Sequence, residues 1–168
     1  MPRKVTIPLD SEPGIAAALG RLIGHWAICE NELENVLGHL LHIDPERARY
    51  VWEAFIGFSA KNELIMKLNY HFTTDKTQKD ALHGLLKQAG KLNDIRNSHI
   101  HAIWAAGGKE KLTRFKKTRS GYTVALQEFV TFTEQDILND VEKISVLSGA
   151  LLDWRLKDQF GPERWPPR

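Results

Sequence analysis

At 168 residues the chain is long enough to bury a hydrophobic core without disulfide or metal support, and it leaves no room for a second full domain. Lysine and arginine number 23 against 21 aspartates and glutamates, so bulk charge selects no partner and only its uneven distribution along the chain is informative. The lone cysteine, Cys29, excludes an internal disulfide, the opening MPRKVTIPLDSEPG lacks an apolar signal segment, and no apolar run approaches the roughly 20 residues of a membrane span. A cytoplasmic protein with no membrane association is expected.

Residues 1–12 read as an irregular leader that Ser11, Glu12 and Pro13 turn into a helix start. From there Ile15, Leu19, Leu22, Trp26, Cys29, Leu33, Val36 and Leu40 recur at alternating spacings of four and three, the stripe of a long helix packed on a neighbour. Asp44-Pro45 breaks it, and Pro45 suits the first position of a shorter helix carrying Tyr50, Val51, Ala54 and Phe55 and ended by Gly57. Ser59 is the predicted cap of a third helix reaching about Phe72, and Asp75 with Gln78 makes a capping box for a fourth. That fourth helix is expected to run from about Lys76 to Ala106, where Gly107-Gly108 tolerates the left-handed conformation common after a helix end.

The texture then changes. Residues 112–132, LTRFKKTRSGYTVALQEFVTF, are rich in threonine, valine and aromatics around Ser120-Gly121, which predicts a β-hairpin. Thr133 and Asp136 give an N-cap signature for a last helix carrying Ile137, Val141, Ile144, Leu147, Leu151 and Trp154, and the prolines of GPERWPPR prevent its continuation. The expected fold is mainly α: one domain over 1–168, an up-and-down bundle of four to five helices, with one β-hairpin inserted near 111–130 and an irregular tail at 161–168. Neither internal repeats nor low-complexity segments occur.

The fourth helix ends in IRNSHIHAIW, residues 95–104. At about 100° per residue, with Arg96 set at zero, Leu85, Leu92, Ile95, Ala102, Ile103 and Ala106 share one arc, while Asn97 and His101 point to about 100° and 140°, away from it. His99 falls inside the apolar arc, which predicts a hydrogen-bonded core histidine. Residues two apart on a helix diverge by about 200°, so His99 and His101 cannot grip one metal ion. With no HExxH, no paired Cys-x-x-Cys and no further ligand near His39 and His42, no metal or other cofactor is expected. What remains is an arginine, an amide and a histidine, Arg96-Asn97-x-x-x-His101. RNA cleavage needs a base for the 2′-hydroxyl proton, a cation for the crowded phosphate and an acid for the leaving oxygen. Histidine moves protons near neutral pH and arginine supplies permanent planar donors. A two-fold pairing of such helices would give each site a second histidine and arginine.

RNSHIH, residues 96–101, resembles the Arg-polar-x-x-x-His signature of HEPN domains, helical modules that include many metal-independent endoribonucleases of prokaryotic defence, toxin and RNA-processing systems. The helical architecture agrees with it. The resemblance implies a homodimer whose paired signatures cut RNA, leaving a 2′,3′-cyclic phosphate and a 5′-hydroxyl, and it carries over three residues: Arg96 to hold the phosphate, His101 as general acid/base, and Asn97 to orient either. An antitoxin or regulatory protein is a further implied partner. One departure stands out: partner-controlled HEPN toxins often place a tyrosine two residues after the histidine, where this chain has Ile103, which argues against that particular partnership. The alternative is a non-catalytic HEPN-like module that binds RNA or a protein. A solvated arginine and asparagine, with His101 favouring the helix dipole, is the plainest reading.

Lys109, Lys111, Arg114, Lys116, Lys117 and Arg119 follow the motif, opposed only by Glu110. They suit an RNA backbone, with Phe115 and Tyr122 available to stack on bases, or equally lysines guarding an edge strand. Glu30 and Glu34 share a helix face, read as an exposed acidic flank, and Trp26, Trp52 and Trp154 read as core or interface anchors. Trp104 projects on the motif's own side of the helix and is expected to pack at the dimer interface or beside the site.

Overall fold

A computed structural model describes the backbone of residues 8–101, 103–106, 112–120 and 123–160, and side chains over 9–101 and 130–157. The protein is mainly α. Its five helices are α1 (Pro13–Leu41), α2 (Pro45–Ala54), α3 (Phe58–Phe72), α4 (Lys76–Ile100) and α5 (Glu134–Phe160), with an antiparallel sheet inserted in the chain between α4 and α5. Its strands are β1 (Ile103–Ala106), β2 (Leu112–Ser120) and β3 (Thr123–Phe132), in the order β1-β2-β3. Pro8–Ser11 winds into a short 3-10 turn within the expected irregular leader. The chain divides into two compact units, residues 1–25 with 94–143 and residues 26–93 with 144–168.

The second unit is a helical bundle. On its stretch of α1, Trp26, Cys29, Leu33, Val36 and Leu40 are all buried, as their spacing requires. Each such large side chain withdrawn from water stabilises by roughly 1.5–3 kcal/mol. The Asp44 carboxylate caps α2 by accepting from the Arg47 N–H at 2.9 Å, Pro45 occupies the first turn, and α2 then runs back along α1. Gly38 permits this, because a Cβ there would stand 2.9 Å from the Ala48 Cβ. The chain leaves α2 through Gly57, whose φ of +81° only glycine adopts without strain. Gly57 rather than Ser59 occupies the N-cap of α3; its backbone turn sets the helix start, and Ser59 falls inside the first turn.

Two asparagines register α3 on α4. Asn62 Nδ2 donates to the Leu86 carbonyl at 3.1 Å and Asn69 Nδ2 to the Lys79 carbonyl at 2.9 Å. As the number rises on one helix it falls on the other, so the two run antiparallel. Asp75 opens α4 by accepting from the Gln78 N–H at 2.8 Å, and the Gln78 carbonyl in turn accepts from Trp154 Nε1 at 2.9 Å. Ile144, Leu147, Leu151 and Trp154 of α5 complete the core. With α3 and α4 antiparallel and short connections from α1 through α4, the unit is the expected helical bundle.

In the first unit, Ile15, Ala18 and Leu22 of α1 and Ile137 and Val141 of α5 are buried. A reciprocal capping box starts α5: Asp136 Oδ2 accepts from the Thr133 N–H at 2.8 Å, and Thr133 Oγ1 accepts from the Asp136 N–H at 3.2 Å.

The motif helix ends earlier than its pattern predicts. α4 stops at Ile100, and Ile103–Ala106, predicted as its last turn, is strand β1, pairing Ile103 with Phe115 and Ala106 with Leu112. Ladder bonds to β2 supply what continued helix would have supplied, and isoleucine and tryptophan fit a strand as readily. The hairpin is therefore part of a three-stranded sheet. A shift between Lys116 and Lys117, opposite Glu128 and Leu126, leaves Gln127 as an extra residue in β3. The predicted turn residue Gly121 and the tail at 161–168 lie outside the described residues.

Candidate functional site

The signature residues gather at the end of α4. Arg96 and Asn97 are half-buried on its last helical turns, and His101 is exposed just beyond it. The His101 N–H closes the final turn onto the Asn97 carbonyl at 3.0 Å. The four-residue separation places Asn97 and His101 on one side of the helix. Arg96 faces elsewhere, yet its Nη1 donates to Asn97 Oδ1 at 2.8 Å, which draws guanidinium and amide into one polar pair. That bond fixes the amide with its oxygen toward the guanidinium, which leaves the NH2 as its donor end. Ser98 is occupied with its own helix, its hydroxyl donating to the Ile95 carbonyl at 2.6 Å. One chain thus brings together an arginine, an amide and an exposed imidazole within about one helical turn.

His99 takes the inward direction expected of it. It is 1% exposed. Its Nε2 meets Asp140 Oδ2 at 3.1 Å, and its ring packs edge-on against Phe132, centroids 4.8 Å apart. Asp140 also accepts from Lys143 Nζ at 2.7 Å. Burial by itself would raise this carboxyl, but the bonds from His99 and Lys143 outweigh it and hold Asp140 below the usual carboxylate range. Sequence reading missed Asp140. Its only signal was its place between Ile137, Val141 and Ile144 on the buried stripe of α5, where an acid needs a partner.

Of the basic segment, Lys109 and Lys111 lie outside the described residues. Arg114, Lys116, Lys117 and Arg119 are on β2. Arg114 pairs with Trp104 on one side and Val130 on the other, so β2 is central there, and guarding of an edge is not its role. Lys116 to Arg119 lie where β2 pairs with β3 alone among the described strands. Trp104 is a β1 residue, so its predicted helical projection beside the motif does not hold.

The acidic flank of α1 is more enclosed than expected. Glu34 is half-buried; burial and the neighbouring Glu53 push its carboxyl up, against Arg49 and Lys61. Glu32 pairs with Arg155 at 3.5 Å, both side chains largely buried. Trp26, Trp52 and Trp154 are core residues at 1%, 6% and 4% exposure. His39 lies 5.9 Å from the Trp154 ring, and His42 leaves the helix at φ +53°. Among the described residues no three His, Cys, Asp or Glu side chains converge on a metal position, and no helix is long and apolar enough to cross a membrane. No family model, curated protein or solved structure matches the chain.

Proposed function

We propose that this protein is a HEPN-like, metal-independent endoribonuclease that acts in the cytoplasm as a homodimer, each site drawing on the motif of both chains, in a toxin or defence setting. The observation that carries the reading is the Arg96–Asn97 hydrogen bond one helical turn before an exposed His101. In this reading one His101 takes the 2′-hydroxyl proton and the 2′-oxygen attacks the adjacent phosphorus. The bond to the 5′-oxygen breaks, and the second His101 protonates that leaving group. Arg96 holds the phosphate as charge develops, Asn97 orients it, and the products carry a 2′,3′-cyclic phosphate and a 5′-hydroxyl. The basic residues of β2 would hold the flanking RNA backbone. The test is cleavage of a mixed RNA pool in EDTA by the wild type and by His101→Ala, both shown to be folded and in the same oligomeric state. Cleavage by the wild type alone assigns the chemistry to the motif. Cleavage by neither replaces the enzyme with a non-catalytic module that binds RNA or a regulatory protein.

A further inference from the structure

Resting on the reading of residues 96–101 as the RNA-cutting motif, we infer that Asp140 is a positioning residue, which acts through His99 to hold the last turn of α4 in the geometry the motif needs. His99 lies three residues after Arg96 and two before His101, so whatever fixes its ring fixes the turn that carries all three signature residues. The ring's partners include Asp140 Oδ2, 3.1 Å from Nε2, and the Phe132 ring, at 4.8 Å and 74°. They come from the strand and the helix on either side of Thr133, whose junction is itself braced by the capping box.

A helix end needs such a brace. Terminal turns of a helix fray because no further helical turn follows them. In α4 the His101 N–H bonds back to the Asn97 carbonyl at 3.0 Å. A reacting group displaced by about 1 Å loses on the order of 100-fold in rate. Stability alone does not call for this pair, because an aspartate 8% exposed beside a histidine 1% exposed is commonly no better for folding than apolar residues of the same volume. Lys143 occupies Oδ1 at 2.7 Å from a side chain that is 56% exposed, which leaves Oδ2 to the imidazole. Oδ2 is thus the atom through which Asp140 holds His99.

The test compares the wild-type chain with Asp140→Ala, Asp140→Asn and Lys143→Met. Asparagine keeps an acceptor for His99, and methionine removes only the outer contact. For RNA cleavage, Asp140→Ala is expected to lower kcat by 10-fold to 100-fold with KM within twofold, Asp140→Asn to recover to within about threefold of wild type, and Lys143→Met to stay near wild type. Hydrogen exchange reads the same turn without any reaction. The Ile100 and His101 amides should exchange at least tenfold faster in Asp140→Ala, with protection of Leu33 and Leu86 unchanged and the wild-type rate restored in Asp140→Asn. Unchanged exchange at residues 100–101 in Asp140→Ala, or equal loss of protection throughout the chain, overturns the positioning role. So does a fall in activity that asparagine does not rescue. A wild type that cuts no RNA, yet shows the localised exchange, removes the nuclease reading while leaving Asp140 as the brace of this turn.

Discussion

Helix α4 buries polar side chains against two kinds of partner, and the contrast separates holding a fold from tuning a site. In the bundle of the second unit, Asn62 and Asn69 of α3 reach backbone carbonyls of α4. These bonds are neutral, they titrate at no ordinary pH, and they set register. Near the motif α4 buries an ionisable residue, His99, which meets a carboxylate. An amide bond is indifferent to pH, whereas the Asp140 carboxyl, held below its usual range by its partners despite its burial, responds to it. Substitutions and pH can therefore be used to tell the two apart.

The largest effect is expected at His99. Replacing it with alanine removes packing against Phe132 and leaves Asp140 buried with only Lys143 as partner, and losing one member of a buried pair costs about 3–5 kcal/mol. Urea unfolding at pH 7 should show that loss, and a change below about 1 kcal/mol would mean the pair is not as enclosed as its geometry says. Next comes the bundle's own ionisable group. Burial pushes the Cys29 thiol up to about 11, against a lowering hydrogen bond from Ser148. A raised folded value means the contribution is complete below the unfolded thiol value and is lost as pH climbs through the folded one. Relative to Cys29→Ala, the wild type should lose about 2 kcal/mol between pH 8 and 10.5, read from paired urea melts. Third, Asn62→Ala and Asn69→Ala each remove a second hydrogen bond from an α4 carbonyl that its own helix still uses, and should cost about 0.5–1.5 kcal/mol, by the same amount at pH 4 and pH 8. A pH-dependent cost would break the contrast.

Much of this organisation was legible in the sequence because it is local or periodic. The α1 stripe from Ile15 to Leu40 and the α5 stripe from Ile137 to Trp154 follow from spacing, and Asp44, Asp75 and Thr133 announce their helices through bonds spanning three residues. The same periodicity sent His99 inward and kept His101 out. What failed depended on distant partners. Residues 103–106 satisfy a helical pattern on their own, and only β2 makes them a strand. Gly57 was visible as a helix breaker, but its service as the N-cap of α3 depends on its positive φ. Asp140 lies 41 residues from His99, so nothing local joins them. For the candidate site, the residue types and their sidedness were readable, whereas the Arg96–Asn97 bond and the brace behind the turn were not, since both are facts of three-dimensional geometry.

The smallest expected effect is also the most selective. Burial raises the Asp140 carboxyl, but the bonds from His99 and Lys143 lower it by more, so its folded value sits below its unfolded one. Such a group contributes stability that is fully present above the unfolded aspartate value, near pH 4, and that disappears as pH falls through the folded value. Between pH 5 and 3 the wild type should therefore lose stability that Asp140→Asn, which has no carboxylate to protonate, retains. The difference between their urea midpoints should narrow over that window. Asn69→Ala, measured beside them, should run parallel to the wild type, because its missing bond carries no proton. If the two midpoints stayed a constant distance apart down to pH 3, His99 and Lys143 would not be holding a charged carboxylate, and the distinction between an amide ladder and an ionisable brace would collapse.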